Sequence, residues 1–250
     1  MSPVTSHYGF VLTELLVAGL VSAFLVLGLV QMAAASSRGL QLIESISQTQ
    51  QGGRFAVQQM QRAVMAAGFN PQPWTHSVPE PGLLAATEDG GSGESDKLAV
   101  HQVSDRNCFE NLNPVQDASG QAAFYVREST FERSGTGNLA HTCFYGPEGG
   151  TLIRQINRQG IAEGVESFQL LFAEDTNGDR LADRRVRAGH WSDPNNVLGI
   201  DVAMLVASND AGGDRAAQTF TILDQSMSSP ADGRIRRVWS FSIPLGSRLR

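Results

Sequence analysis

From Leu15 to Ala35 the chain runs without a charged side chain, and its apolar residues occupy nearly every position instead of one face. At about 1.5 Å per residue such a helix is long enough to cross a ~30 Å hydrocarbon core. A helix buried in a soluble core would show a polar residue every third or fourth position, and Ser22 and Gln31 do not make such a face. A secretory signal would need a basic start and a shorter apolar run before a cut at small residues. Ala33, Ala34 and Ala35 would serve as that cut, but residues 1–9 hold no Lys or Arg. The pattern predicts a membrane helix.

Beyond Arg38 the hydrophobicity falls while a helical period persists through Leu42, Ile46, Thr49, Gly53, Ala56, Met60, Ala63 and Ala67. Spacings that alternate between four and three put these residues on one stripe, with Ile43, Val57 and Val64 widening it. The helix therefore continues as an amphipathic half, with Gly39 and Gly52-Gly53 as its expected weak points. Gly68 and Asn70-Pro71 signal its end. Proline and the run Glu88 to Ser95 then read as loop.

After Asp96 the pattern changes to short β-like runs at 98–103, 122–127, 142–145, 151–156, 167–172, 198–207, 219–223 and 235–243. An antiparallel sheet laid on the amphipathic helix is the economical architecture, because each covers the apolar face of the other. The expected class is α+β. The expected organisation is 1–9 as a leader, 10–36 as the membrane helix, 37–70 as the amphipathic helix, 71–96 as a flexible loop and 97–250 as a β-rich head.

Nineteen basic against 25 acidic residues give a net charge of -6, so no broad cationic field is present to hold phosphate backbones. Nucleic acid is not an expected partner. Arg234, Arg236, Arg237, Arg248 and Arg250 cluster near the end, and the plain reading is solvated charge that discourages sheet-to-sheet association. No nucleophile elbow, phosphate loop or zinc-protease helix occurs, and the five His residues are scattered at 7, 76, 101, 141 and 190. The composition does not point to an enzyme.

Cys108 and Cys143 are the two cysteines, and an even count beyond a membrane span is consistent with one disulfide in an oxidising compartment. Two unrelated buried thiols are the alternative. Asp175, Asn177, Asp179 and Asp183 place oxygen side chains at alternate positions, the spacing of a calcium loop. The sharp-turn glycine of such a loop is replaced by Arg180, and Val186 stands in the place of the bidentate acid. A hairpin tip turning at Asn177-Gly178 is the preferred reading and calcium the alternative; no other cofactor is expected.

Glu14 sits on the N-terminal edge of the apolar run, where a charge at bilayer depth costs roughly 2.5–3.5 kcal/mol. No Lys or Arg lies within two helical turns of it, so its counter-ion must come from another chain or from a new amino terminus. At this point Gly9-Phe10-Val11-Leu12-Thr13-Glu14-Leu15 resembles the prepilin cleavage site of type IV pilins and type II secretion pseudopilins. The resemblance implies that a membrane peptidase cuts after Gly9 and methylates Phe10. It also implies that Glu14 meets the N-terminal amine of a neighbouring subunit. Thr13 stands where an aliphatic residue is more usual, and the leader lacks the basic residues common in the family.

Arg54-Phe55-Ala56, Met65 to Phe69, Ser95 to Val100, Ile161 to Glu166 and Arg236 to Ser240 extend the resemblance over most of the chain. Together they look like a PilW-type minor pilin. That implies a subunit helping to initiate type IV pilus assembly near the filament tip. Its partners would be other minor and major pilins, the prepilin peptidase, the inner-membrane assembly platform and a tip adhesin. It would reside in the inner membrane with a periplasmic head before assembly and in the pilus afterwards. The alternatives are a J-type pseudopilin of type II secretion and a membrane-anchored binding module or adhesin.

Overall fold

The computed structural model describes residues 12–71, 86–147, 150–211 and 216–245. One α-helix, α1, spans Leu12–Ala66 without interruption at Gly39 or Gly52-Gly53. The chain divides after Glu44 into two units. In the first, every described residue from Leu12 to Gln41 is exposed, including Leu20, Phe24, Leu25 and Leu29. Among the described residues, α1 is the one helix long and apolar enough to cross a membrane.

The second unit begins with the remainder of α1. Ser45, Thr49, Gly53, Ala56, Met60 and Val64 are its buried positions, and Ala67 just beyond its end is buried too. The expected stripe is thus present with rotated ends: Ser45 is buried in place of Ile46, and Val64 in place of Ala63. A straight helix at 3.6 residues per turn drifts against a fixed seven-residue repeat, which accounts for the rotation. Gly68, at φ +72°, closes the helix from the left-handed region.

Among the described residues the head holds two four-stranded antiparallel sheets and a small hairpin, where the sequence led us to expect one sheet. The first sheet is a meander of β1 (Lys97–Ser104), β2 (Tyr125–Arg133), β3 (Leu139–Gly146) and β4 (Ile153–Ala162). The second sheet uses β5 (Val165–Glu174), β6 (Arg184–Val186), β7 (Val197–Ala211) and β10 (Arg234–Pro244), in the order β10-β7-β5-β6. The hairpin is β8 (Thr219–Ile222) with β9 (Gln225–Ser228).

The extra layer has a physical cause in β7. Its run from Val202 to Ala207 is apolar on both faces, so each face needs cover. Val202, Met204 and Val206 turn into the main core with Met60 and Val64 of α1, Leu98 and Phe131 of the first sheet, and Phe168 and Phe172 of β5. Ala203 and Leu205 face the other way and are covered by Phe220, Ile222, Leu223 and Met227 of the hairpin.

Candidate functional site

Glu14 lies in the first turn of α1, where the positive end of the helix dipole favours a carboxylate. Gly9 and Phe10, the expected cleavage and methylation positions, lie outside the described residues. In the first unit, then, the described part of the Gly9-to-Leu15 motif is a carboxylate at the start of a helix whose apolar side chains from Leu12 to Leu40 are exposed.

The second unit fixes the head by four polar ties, three of them with no clear signal in the sequence. The first is a strap from Glu88 to Asp96, within the segment expected as loop. Glu88 and Lys97 exchange backbone hydrogen bonds, and the Asp96 N–H donates to the Phe168 carbonyl at 2.8 Å. The Asp96 carboxylate is buried and accepts from the N–H groups of Gly90 and Leu170, at 2.9 and 2.7 Å. Burial pushes this carboxyl up to about 6, against the pull of those two donors. The strap thereby occupies the part of the β5 edge that short β6 leaves open.

The second tie centres on Arg236, whose side chain is 4% exposed. It donates to Glu166 through Nε and Nη2, at 2.7 and 2.9 Å, and to both oxygens of Asp232. Arg234 also pairs with Glu166, at 3.4 Å. Hydrogen bonds from Arg236 hold the Asp232 carboxyl well below the usual range, and the two acids raise the guanidinium in turn. Arg234 and Arg236 are therefore not the solvated rim expected from sequence: Asp232 comes from the turn just before β10, and Glu166 from β5, beyond the reach of local pattern, while Arg237 is exposed. Arg237 stacks on Trp239 at 5.0 Å, and Arg248 and Arg250 lie outside the described residues.

The third tie is Glu174, a carboxylate with no side-chain exposure at the end of β5. Burial alone would raise it, but donors from Ser192, Arg184 and Asp193 hold it lower than usual. The fourth is the disulfide between Cys108 and Cys143, which is formed. It fastens the long loop after β1 to strand β3. Asx bonds from Asn107 and Asp117 order the same loop, while Phe109 and Leu112 remain exposed on it.

Asp175, Asn177, Asp179 and Asp183 fall in the connection from β5 to β6, so this segment is a hairpin tip, as preferred. The turn is not a tight one at Asn177-Gly178: it runs from Asp175 to Asp183, because Asp175 organises it from within. Asp175 accepts from the N–H groups of Asn177, Gly178 and Arg180, at 3.1, 2.7 and 2.8 Å. Burial opposes its ionisation, yet these donors keep the carboxyl below its ordinary value. Asp183 accepts from Thr176, and the Asn177 amide donates to Asp179 and Asp183. The oxygens face donors of their own loop, and among the described residues no three His, Cys, Asp or Glu side chains group to hold a metal ion.

An N-terminal helix, apolar and exposed in its first half and packed against antiparallel sheets in its second, is the architecture of a type IV pilin-like subunit. The family model described as type IV pilus-assembly protein W, PilW, matches residues 123–247. The chain belongs to the PilW family. Among solved structures, a type IV-like pilin from Thermus thermophilus is similar, with 17% identity over 81% of this chain and 96% of that one, at a TM-score of 0.46. Comparison with curated proteins finds no match.

Proposed function

We propose that this chain is a minor pilin that helps initiate type IV pilus assembly and sits near the filament tip, a structural subunit and not an enzyme. The observation that carries the reading is the family match on the head joined to an apolar helix whose side chains from Leu12 to Gln41 are exposed. Such a surface is stable only in lipid or against other apolar helices, so it suits a subunit that is held in a membrane and then transferred into a filament.

Glu14 supplies the register. A carboxylate in lipid becomes tolerable when an opposite charge from a neighbouring chain meets it, so correct stacking is favoured over slipped stacking. The amine of Phe10, freed by cutting after Gly9, is the counter-ion this reading requires. The partners are other minor and major pilins and the assembly platform, with the prepilin peptidase acting first.

Mass spectrometry of the protein recovered from cells with and without prepilin peptidase tests this. The expected result is a methylated N-terminal Phe10 in the first case and an uncut chain in the second. Retention of residues 1–9 in peptidase-positive cells, or a cut after Ala35, would overturn it. Glu14→Ala is expected to leave membrane insertion intact and to reduce incorporation into filaments.

A further inference from the structure

The segment Ile161 to Glu166 has a structural reason at every position but one. Ile161, Ala162 and Val165 belong to the core. Gly164, at φ +69°, lies so close to the Ala207 carbonyl that no Cβ fits between them. Glu166 holds Arg236 and Arg234. Glu163 remains: it is exposed, and no ion pair binds it among the described residues. Its described hydrogen bond comes from the Asn209 amide at 3.2 Å.

Glu163 stands where two cavities of about 380 and 490 Å³ meet, sharing Asn138, Glu163 and Asn209 in their linings. The first is walled by the α1 turn at Gln48 and Gln51 and by the ends of β4 and β7. The second is walled by the β2–β3 turn and by Arg133 and Arg234. In this second cavity Arg234 is paired with Glu166, while Arg133 donates to the Val165 carbonyl at 2.7 Å and keeps its positive charge. The first cavity is the one that suits a cation: Glu163 is its one charged lining residue, among the neutral amides of Gln48, Gln51, Asn138 and Asn209, on a turn that Gly164 locks in place. No aromatic side chain lines either cavity, so no platform for a sugar ring or base is present.

We propose that the first cavity receives a polypeptide segment carrying a basic side chain, with Glu163 as its counter-ion and the Gln48, Asn138 and Asn209 amides bonding its backbone. Concave sites with a few convergent polar groups suit this task, and charge sets specificity more than strength. The proposal rests on the pilus reading only for the source of the segment, another component of the filament.

The test is a nuclear magnetic resonance titration of the full chain in detergent micelles with two probes, acetyl-Gly-Lys-Gly-amide and acetyl-Gly-Gln-Gly-amide. The lysyl peptide is expected to shift the amide signals of Asn138, Glu163 and Asn209, more weakly at high salt, and the glutaminyl peptide much less. Glu163→Gln, at an exposed position, should leave the rest of the spectrum unchanged and weaken lysyl binding by about three- to fivefold, the range of an exposed ion pair. Equal response to both peptides, binding that survives Glu163→Gln, or no shift at all would overturn the proposal. Pilus counts on the same variant report separately on the pilus reading, so the two failures are distinguishable.

Discussion

Gly53 of α1 lies directly beneath the indole of Trp239, which occupies the space a Cβ at that position would need. The sequence marks Gly53 as a weak point of a long helix, because glycine costs about 1 kcal/mol there relative to alanine. The structure gives the glycine a purpose: it admits the widest side chain of β10 against the helix. Gly39, by contrast, has nothing near its absent Cβ.

The two glycines should therefore respond with opposite signs. Gly53→Ala is expected to lower the stability of the head by about 1–3 kcal/mol through overpacking, despite its better helix propensity. Gly39→Ala should be neutral or stabilise the helix by up to ~1 kcal/mol. Thermal unfolding followed by tryptophan fluorescence checks both. Equal behaviour of the two variants would mean that Trp239 yields easily.

How far the pattern of residues revealed this fold depends on the range of the interaction. The apolar run, the stripe on α1 and most strands are periodic signals within one segment, and they were readable. The strap was not, because Asp96 is recognisable as a tie only once Leu170 and Gly90 are brought to it. The outer hairpin had a signal in the continuous apolar run of β7, which implies cover on both faces, and β9 with alternating small polar residues had none. The Arg236 cluster was misread for the same reason: its neutralising acid Glu166 lies 70 residues away in sequence.

Arg236 leads to the second prediction. Its charge is buried between Glu166 and Asp232, and removing one member of such a group strands the others. Arg236→Met is expected to cost about 3 kcal/mol. Arg236→Lys should recover little of that, since an ammonium lacks the planar fork that meets both acids. Chemical denaturation of the two variants measures the difference, and full rescue by Lys would show that charge alone is what matters.

The disulfide provides the third. Cys108 and Cys143 are 35 residues apart and join a loop to β3, so their loss enlarges the unfolded ensemble. Cys108→Ser with Cys143→Ser is expected to cost about 2–4 kcal/mol. Hydrogen exchange should rise at Asn107 to Asp117 while β5 and β7 stay protected. A uniform rise over the whole head would instead mark the disulfide as a determinant of the entire fold.

The last prediction concerns acid, where two buried groups act in opposite directions. Asp96, with Asp89, Asp224 and Arg187 around it, is raised by burial from 3.8 to about 6. It favours folding while protonated, and that contribution is lost as pH rises through 6. His141, stacked on Phe131 with an unpartnered Nε2, is lowered from 6.5 to about 4, first by burial and then by Arg127. Its contribution is complete above 6.5 and is lost as pH falls toward 4. Between pH 4 and 6 the two slopes oppose each other, while the hydrogen bond with His101 holds the Glu128 carboxyl below its ordinary value. The head should thus keep a nearly constant stability from pH 7 to pH 5. His141→Phe preserves the stack and removes one slope, so this variant should be more stable at pH 5 than at pH 7, by on the order of 1–2 kcal/mol. Urea denaturation at the two pH values measures it, and an unchanged profile would mean that His141 is not neutral in the fold.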